Sequence, residues 1–329
     1  MGGYWHFEQK SIDYGVVLAS SKMNEIMSKF KFSGHQTFAF RYGWLEKGVK
    51  SAVEYPGIFS ADDAIVQLGV GKNMVESIRH WCLATQMLDE KPDLATNKGR
   101  VLHPSNLAKR LLLKEKWDPF FENDASLWLV HWLLVSNPKI GTSWQLAFGY
   151  FHRPDFSKRE LVDFVKAYAD KNSVRVNESS LNRDIDCLLR TYLPVRTGAR
   201  SEIAEETFDC PLQELGLIQA SPDGDFFRFA IGPKPSLPAQ VFAFALDEFF
   251  NRTKSERKTL SVQECLYGAQ SPGQAFKLDE NSLVEYVEAI EEITDGAITL
   301  DETAGLKQIY RRQKLDPLLL LHNYYRSNS

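Results

Sequence analysis

Three side chains that can act on a phosphate lie close together near the start of the chain. His35 and Gln36 follow a glycine, and Arg41 comes five residues later. A histidine beside a flexible glycine can hold a phosphate or supply a proton. The alternative is that His35 or Thr37 fixes the helix that starts near Tyr42. The sequence leaves both interpretations open, and His35 and Arg41 are the candidate catalytic residues.

A second pattern, over residues 60–83, is typical of a helix-turn-helix. Ser60 can cap a first helix, and the glycines within 69–71 supply a turn. The second helix would present a polar face outward, where short polar or basic side chains can read base edges or bind phosphate. The candidate DNA contacts in this region are Lys72, Asn73, Ser77, Arg79 and His80, and Gln36 of the earlier motif is a further candidate. The alternative is a plain helical hairpin without DNA contact.

The residues that follow the two helices favour a winged helix. Turn-forming residues at 90–93 and 97–100 separate short extended stretches, and a helix is predicted at 105–113. Two helices, a β-hairpin and a return to helix form the element order of that fold. Lys98 and Arg100 would lie on the wing, where basic side chains commonly meet phosphate.

A loose run of arginines lies in the middle of the chain, around a predicted helix and the loop after it. It comprises Arg183, Arg190, Arg196 and Arg200. These side chains are candidate phosphate contacts. The alternative is a solvated face on which the arginines pair with Asp184 and Asp186.

Residue spacing argues against several other chemistries. The Gly-Lys pair at 71–72 lacks both the earlier glycine and the following Ser or Thr of a P-loop. The cysteines include no CxxC pair, which argues against a zinc site. Asp184 and Asp186 are two residues apart on a predicted helix, so they point in different directions and cannot hold one metal ion unaided. We therefore assign no metal ligand from the sequence.

The bulk numbers describe an ordinary globular chain of 329 residues, 43% hydrophobic and 25% charged. Its formal net charge is -4, so DNA binding must come from local patches rather than from a global field. Widely spaced cysteines indicate reduced thiols, and no apolar run reaches the roughly 18 residues of a membrane span. We expect a cytoplasmic protein without a membrane segment.

The later elements repeat the order of the first unit. A capping box at 157–160 starts a helix, a second helix is predicted at 180–193, and Asp-Gly at 223–224 predicts a hairpin. A weaker series of helix, turn and two strands is predicted at 281–310. The apolar stretch 127–135 predicts a buried central helix.

These patterns predict a mainly α protein with small β-hairpins, of the α+β class. Two winged-helix units, with the weaker series as a third, would be joined by a buried helical core. The predicted divisions are an extension at 1–29, a winged-helix DNA-binding domain with helical core at 30–150, a second winged-helix-like unit at 151–235 and a C-terminal helical or winged-helix-like domain at 236–329.

Four blocks of sequence carry a resemblance to a known family. They are FSGHQTF at 32–38, RYGWL at 41–45, DDAIVQLGVGKNMVESIRHW at 62–81 and KLDPLLLLHNYY at 314–325. Together they are similar to the bacterial domain-of-unknown-function family that includes SspB, the DNA-nicking component of a single-strand DNA phosphorothioation system. The resemblance covers about residues 30–326.

The resemblance implies a role in phage defence. Double-stranded DNA would be nicked on one strand for sulfur incorporation. No cofactor is identified from the sequence, and Mg²⁺ or Mn²⁺ is expected only if the protein nicks DNA. The implied partners are a cysteine desulfurase, an ATPase and a sulfur-transfer enzyme, and a homodimer is also compatible with the sequence. The resemblance carries over no catalytic residue. Two alternatives stay open: a non-catalytic adaptor that recruits modification enzymes, and a transcription regulator.

Overall fold

The computed structural model has mixed α and β structure with small antiparallel sheets, as the sequence predicts. It describes residues 30–92, 100–137, 139–194, 210–253, 257–303 and 305–328. The predicted extension at 1–29 and the predicted turn residues within 93–99 lie outside these ranges. Among the described helices, none combines the length and apolar character needed to cross a bilayer.

The first unit begins with helix α1 (Trp44–Glu54). A short helix α2 (Ala64–Leu68) and helix α3 (Lys72–Ala84) follow. Strands β1 (Leu88–Pro92) and β2 (Arg100–Pro104) then form an antiparallel pair. The predicted order of helix, helix and hairpin is therefore present.

Two details of the predicted helix pair are corrected by the structure. Helix α2 begins at Ala64, and Ser60 instead ends a 3₁₀ turn, so its hydroxyl does not cap that helix. Gly69 ends α2 at φ 64°, a left-handed conformation that glycine adopts without strain. Gly71 has φ −65° in extended backbone, so this turn needs positive φ at Gly69 and not at Gly71.

A buried helical region follows the first hairpin. Helix α4 (Asn106–Ala108) passes into a π-helical turn at Lys109–Leu113. Helices α5 (Asp124–Val135) and α6 (Thr142–Gly149) come next. Every residue of α5 after its first is buried, as the apolar run predicts.

The second unit starts with the predicted capping box. Ser157 Oγ accepts a hydrogen bond from the backbone N–H of Glu160, and the Glu160 carboxylate accepts one from the backbone N–H of Ser157. The elements of this unit, in chain order, are β3 (Asp155–Ser157), α7 (Lys158–Lys171), α8 (Glu178–Tyr192), β4 (Ile218–Ala220) and β5 (Phe226–Phe229). The three strands form one sheet in the order β3-β5-β4.

The elements of the third unit, in chain order, are α9 (Ala239–Thr253), β6 (Thr259–Ser261), α10 (Val262–Tyr267), α11 (Pro272–Phe276), α12 (Glu280–Ile293), β7 (Ile298–Thr303), β8 (Leu306–Arg311) and α13 (Pro317–Ser327). Its sheet has the same topology as that of the second unit, with the strand order β6-β8-β7. In both sheets the strand that precedes the helices pairs with the last strand of the hairpin.

One hydrophobic core draws side chains from all three units, and α5 lies within it. His131 of α5 accepts a hydrogen bond at Nδ1 from the Tyr192 hydroxyl at 2.7 Å. Its Nε2 donates to the carbonyl oxygen of Ala275 at 2.8 Å, because a carbonyl can only accept. Burial lowers the pKa of His131 to about 3, so this imidazole is neutral and structural. Because the core is continuous, the proposed divisions after residues 150 and 235 stay predictions.

Two buried lysines lie where the second and third units meet. Lys277 Nζ donates to the carbonyl oxygen of Phe148 at 3.3 Å and lies 4.0 Å from the ring centroid of Phe229. Lys234 Nζ donates to backbone carbonyls, including that of Lys277. Burial lowers the pKa of Lys277 to about 7 and that of Lys234 to about 8. The folded state therefore disfavours the charged form of both side chains.

We predict that Lys277 by itself contributes a rise in stability as the pH increases from 7 to 10. A lysine whose pKa falls on folding opposes folding wherever the unfolded side chain is protonated, and that penalty fades as the pH approaches the unfolded value of about 10.4. The Lys277→Met substitution should lower the increase in the free energy of unfolding between pH 7 and 10 by on the order of 3 kcal/mol. Urea unfolding at several pH values measures it, with exposed Lys139→Met as the control. A pH dependence parallel to that of the unaltered protein would contradict the prediction.

Candidate nucleic-acid interface

The loop at residues 33–37, here the SGHQT loop, has an unusual backbone. Ser33, Gln36 and Thr37 have φ angles of 61°, 49° and 67°. Residues other than glycine rarely adopt this left-handed conformation, and it persists only where surrounding contacts over-determine it. The SGHQT loop is therefore held in place by contacts from other parts of the chain.

The buried carboxylate of Asp184, on α8, holds the SGHQT loop from one side. It accepts hydrogen bonds from the backbone N–H of Ser33 at 2.6 Å, His35 Nε2 at 3.0 Å and Ser143 Oγ at 2.8 Å. His35 Nδ1 accepts from the backbone N–H of Thr37 at 3.0 Å, so the imidazole proton lies on Nε2. His35 is 1% exposed and both its nitrogens are engaged. The prediction that His35 faces a phosphate is wrong, because its ring fixes the loop from inside.

Helix α3 holds the SGHQT loop from the other side. Ser77 Oγ donates to the carbonyl oxygen of His35 at 3.0 Å, and Trp81 Nε1 donates to that of Phe38 at 3.2 Å. Ser77 and His80 are both buried. The prediction that these two side chains contact DNA is therefore wrong, because the loop covers the face of α3 that the sequence pattern places in solvent.

The contact between the loop and His80 is close and poorly hydrogen-bonded. A Cβ on Gly34 would lie 2.4 Å from His80 Nδ1, so only glycine permits this approach. Within the described residues, neither ring nitrogen of His80 has a hydrogen-bond partner, nor do Ser33 Oγ and Trp144 Nε1. Burial lowers the pKa of His80 well below its ordinary value. The imidazole is therefore neutral, and unsatisfied buried atoms of this kind cost about 1–3 kcal/mol each.

The first turn of α3 remains open to solvent. Lys72 and Asn73 are both exposed there, as predicted. The other two predicted contacts nearby have protein partners: Gln36 Nε2 donates to Glu76 at 2.5 Å, and Arg79 pairs with a glutamate of β1. Lys72 and Asn73 are thus the side chains of α3 best placed for a nucleic acid.

Helix α8 exposes two of the predicted arginines, Arg183 and Arg190. Arg190 Nη2 donates to the carbonyl oxygen of Thr37 at 2.7 Å, which places it against the SGHQT loop. Asp186 pairs with Lys158 at 2.6 Å instead of with an arginine. In the described part of the chain neither arginine has an acidic partner, so the interpretation of a self-neutralised face is wrong.

The remaining predicted side chains have other surroundings. Arg41 is half-buried, with its guanidinium 5.3 Å and 5.2 Å from the ring centroids of Phe38 and Trp44. Its guanidinium packs on these two aromatic rings. The structure does not describe the side chains of Lys98, Arg100, Arg196 and Arg200.

A metal site is not apparent in the ranges that the structure describes. There, no three His, Cys, Asp or Glu side chains group closely enough to hold a metal ion. Asp184 is buried and Asp186 is half-exposed, so the two carboxylates point in different directions, as predicted. We therefore assign no residue to a metal.

Helix α12, the counterpart of α3 and α8 in the third unit, has an acidic outer face. Glu285, Glu288 and Glu292 are exposed on it. Like charges repel, so this face is unsuited to a phosphate backbone. Among these three helices, exposed basic side chains lie on α3 and α8.

The fold and the surface together define a class of protein: an α+β chain of helix–hairpin units that offers basic side chains on two of its helices. The chain belongs to the family described as protein of unknown function (DUF4007), which it matches over residues 32–325. This confirms the resemblance found in the sequence.

Solved structures agree with the family assignment. An SspB crystal structure is 29% identical, with a TM-score of 0.81 over 92% of this chain and 90% of that chain. A magnesium ion-bound SspB crystal structure is 31% identical, with a TM-score of 0.81 over 90% of this chain and 88% of that chain. No curated protein matches the chain.

We predict that the two aspartates of α8 differ sharply in their effect on stability. Asp184→Ala leaves the buried donors on Ser33, His35 and Ser143 unpaired and should cost about 3–5 kcal/mol. Asp186→Ala removes one half-exposed ion pair and should cost less than about 1 kcal/mol. Urea unfolding of both variants gives the comparison. Equal losses would mean that the Asp184 network does not hold the loop.

Proposed function

We propose that this protein binds duplex DNA in a bacterial phosphorothioation and phage-defence system and nicks one strand for sulfur incorporation. Membership of the DUF4007 family and the resemblance to SspB support a role in DNA phosphorothioation. The single observation that carries DNA binding is the exposed first turn of α3. Lys72 and Asn73 stand there beside the turn at Gly69, where a groove can receive them.

The three helix–hairpin units act as winged helices in this proposal. In each unit the last helix before the hairpin is the one that would enter a groove. These helices are α3, α8 and α12. The matching strand order of the second and third sheets supports a shared unit.

The exposed charge of the three helices differs in sign, and we propose that this difference decides which of them contact DNA. Phosphate contacts supply most of non-specific affinity and attract basic side chains. The proposed DNA surface therefore combines the first turn of α3 with Arg183 and Arg190 of α8, on either side of the SGHQT loop. The acidic face of α12 would turn away from DNA.

That acidic face favours one alternative function. Glu285, Glu288 and Glu292 offer a surface for a basic protein partner rather than for DNA. In this alternative the protein is an adaptor that binds DNA and recruits the sulfur-transfer enzymes without cutting. In a homodimer, the acidic face of α12 would have to pack against a basic surface of the second copy.

We predict that Lys72→Ala/Asn73→Ala weakens duplex binding about tenfold or more, because each good base or phosphate contact contributes about 1–3 kcal/mol. The slope of log affinity against log salt should fall by about one unit with the loss of one cation. Fluorescence anisotropy at several salt concentrations measures both. Lys114→Ala, exposed elsewhere, is the control. An unchanged affinity would remove α3 from the interface.

We predict that the full chain, with Mg²⁺ or Mn²⁺ added, converts supercoiled plasmid to open circles. The described residues present no ligand cluster, so the assay tests the activity without assuming where a metal binds. The Lys72→Ala/Asn73→Ala variant should slow nicking at limiting protein, and a chelator should stop it. Intact supercoiled plasmid alongside normal duplex affinity would instead establish the adaptor function.

A further inference from the structure

A cavity of about 450 Å³ lies between the SGHQT loop and the outer face of α8. Its wall contains one loop residue and four residues of the helix: Thr37, Arg183, Asp186, Leu189 and Arg190. Cavities of roughly 300–1,000 Å³ are of the size that takes a small organic ligand. A smooth duplex surface would leave this open recess unfilled, whereas a group that projects from the duplex could enter it.

The charges around this cavity favour an anion. Lys158 neutralises Asp186 at 2.6 Å. Among the described residues, Arg183 donates within its own helix, to the Ser179 carbonyl oxygen at 3.3 Å and to Ser180 Oγ at 3.4 Å. With Arg190 beside it, the wall presents guanidinium groups without acidic partners in the described part of the chain. Guanidinium is the side-chain group that best fits a phosphate.

The same wall also has an apolar part. Leu189, which is 8% exposed, precedes Arg190 on α8 and is the apolar residue among those that line the cavity. Flat bases stack on apolar side chains and on guanidinium planes, and such stacking is tolerant of base identity. An occupant with one phosphate and one flat apolar face would therefore use the whole wall.

We propose that this cavity binds one unpaired nucleotide of a DNA strand, with its phosphate on Arg183 and Arg190 and its base against Leu189. The proposal rests on the proposed function and narrows the substrate to DNA with a locally displaced nucleotide. The location of the cavity supports the proposal, because the SGHQT loop at its edge also contacts α3 through Ser77 and Glu76. A nucleotide leaving a duplex held on α3 would reach the cavity across this loop.

The test compares one short duplex with the same duplex carrying a single bulged nucleotide, by anisotropy with the full chain. The unaltered protein should bind the bulged duplex about tenfold more tightly, as stacking of one base contributes about 1–3 kcal/mol. Arg183→Ala should abolish that preference. Arg183 is chosen because it makes no contact that holds the loop. Arg159→Ala, an exposed arginine of α7 paired with Asp163, is the matched control and should keep the preference.

The outcomes separate this proposal from the proposed function. Equal affinity of the unaltered protein for both duplexes would overturn the nucleotide site and leave duplex binding in place. An Arg183→Ala variant that loses affinity equally for both would reduce the arginine to a surface phosphate contact and also overturn it. Binding to neither duplex would overturn the proposed function itself.

Discussion

The buried carboxylate of Asp184 is the interaction on which the candidate interface depends. It gathers hydrogen bonds from a backbone amide and an imidazole of the SGHQT loop and from the hydroxyl of Ser143 on α6. A carboxylate removed from water is tolerable only when its oxygens are occupied in this way. The same bonds hold a loop in which Ser33, Gln36 and Thr37 keep positive φ angles. Favourable polar contacts thus sustain a backbone that would not persist alone.

The consequence is a fixed relation between two helices. Asp184 and Arg190 tie the SGHQT loop to α8, while Ser77 ties it to α3 and Trp81 ties the adjoining Phe38 to the same helix. Because proteins transmit strain through close-packed interiors, the loop can act as a spacer that sets where the two exposed basic surfaces lie. The buried side chains of His35, Ser77 and His80 then help to fix the loop between the two helices. They are polar residues of the interior, and only their exposed neighbours are open to a ligand in solvent.

Electrostatics explains how an acidic chain can still suit DNA. The net charge of -4 sets only the long-range field, and salt screens charges beyond about 10 Å. Local contact therefore depends on which helix exposes which sign. Lys72 and Arg183 lie on α3 and α8, whereas the corresponding surface of α12 is acidic. One repeated architecture thus offers two kinds of surface, one suited to phosphate and one suited to basic protein partners.

The sequence by itself determined the local structure. The Ser157–Glu160 capping box, the Asp-Gly hairpin and the apolar run of α5 depend on neighbours along the chain, and each is where the sequence predicts it. The tertiary structure alone decided which polar residues meet solvent. Amphipathic spacing shows that Ser77 and His80 share a face, but a loop some forty residues earlier covers that face. The His35–Asp184 hydrogen bond spans 149 residues, and no local pattern encodes a contact made only by folding.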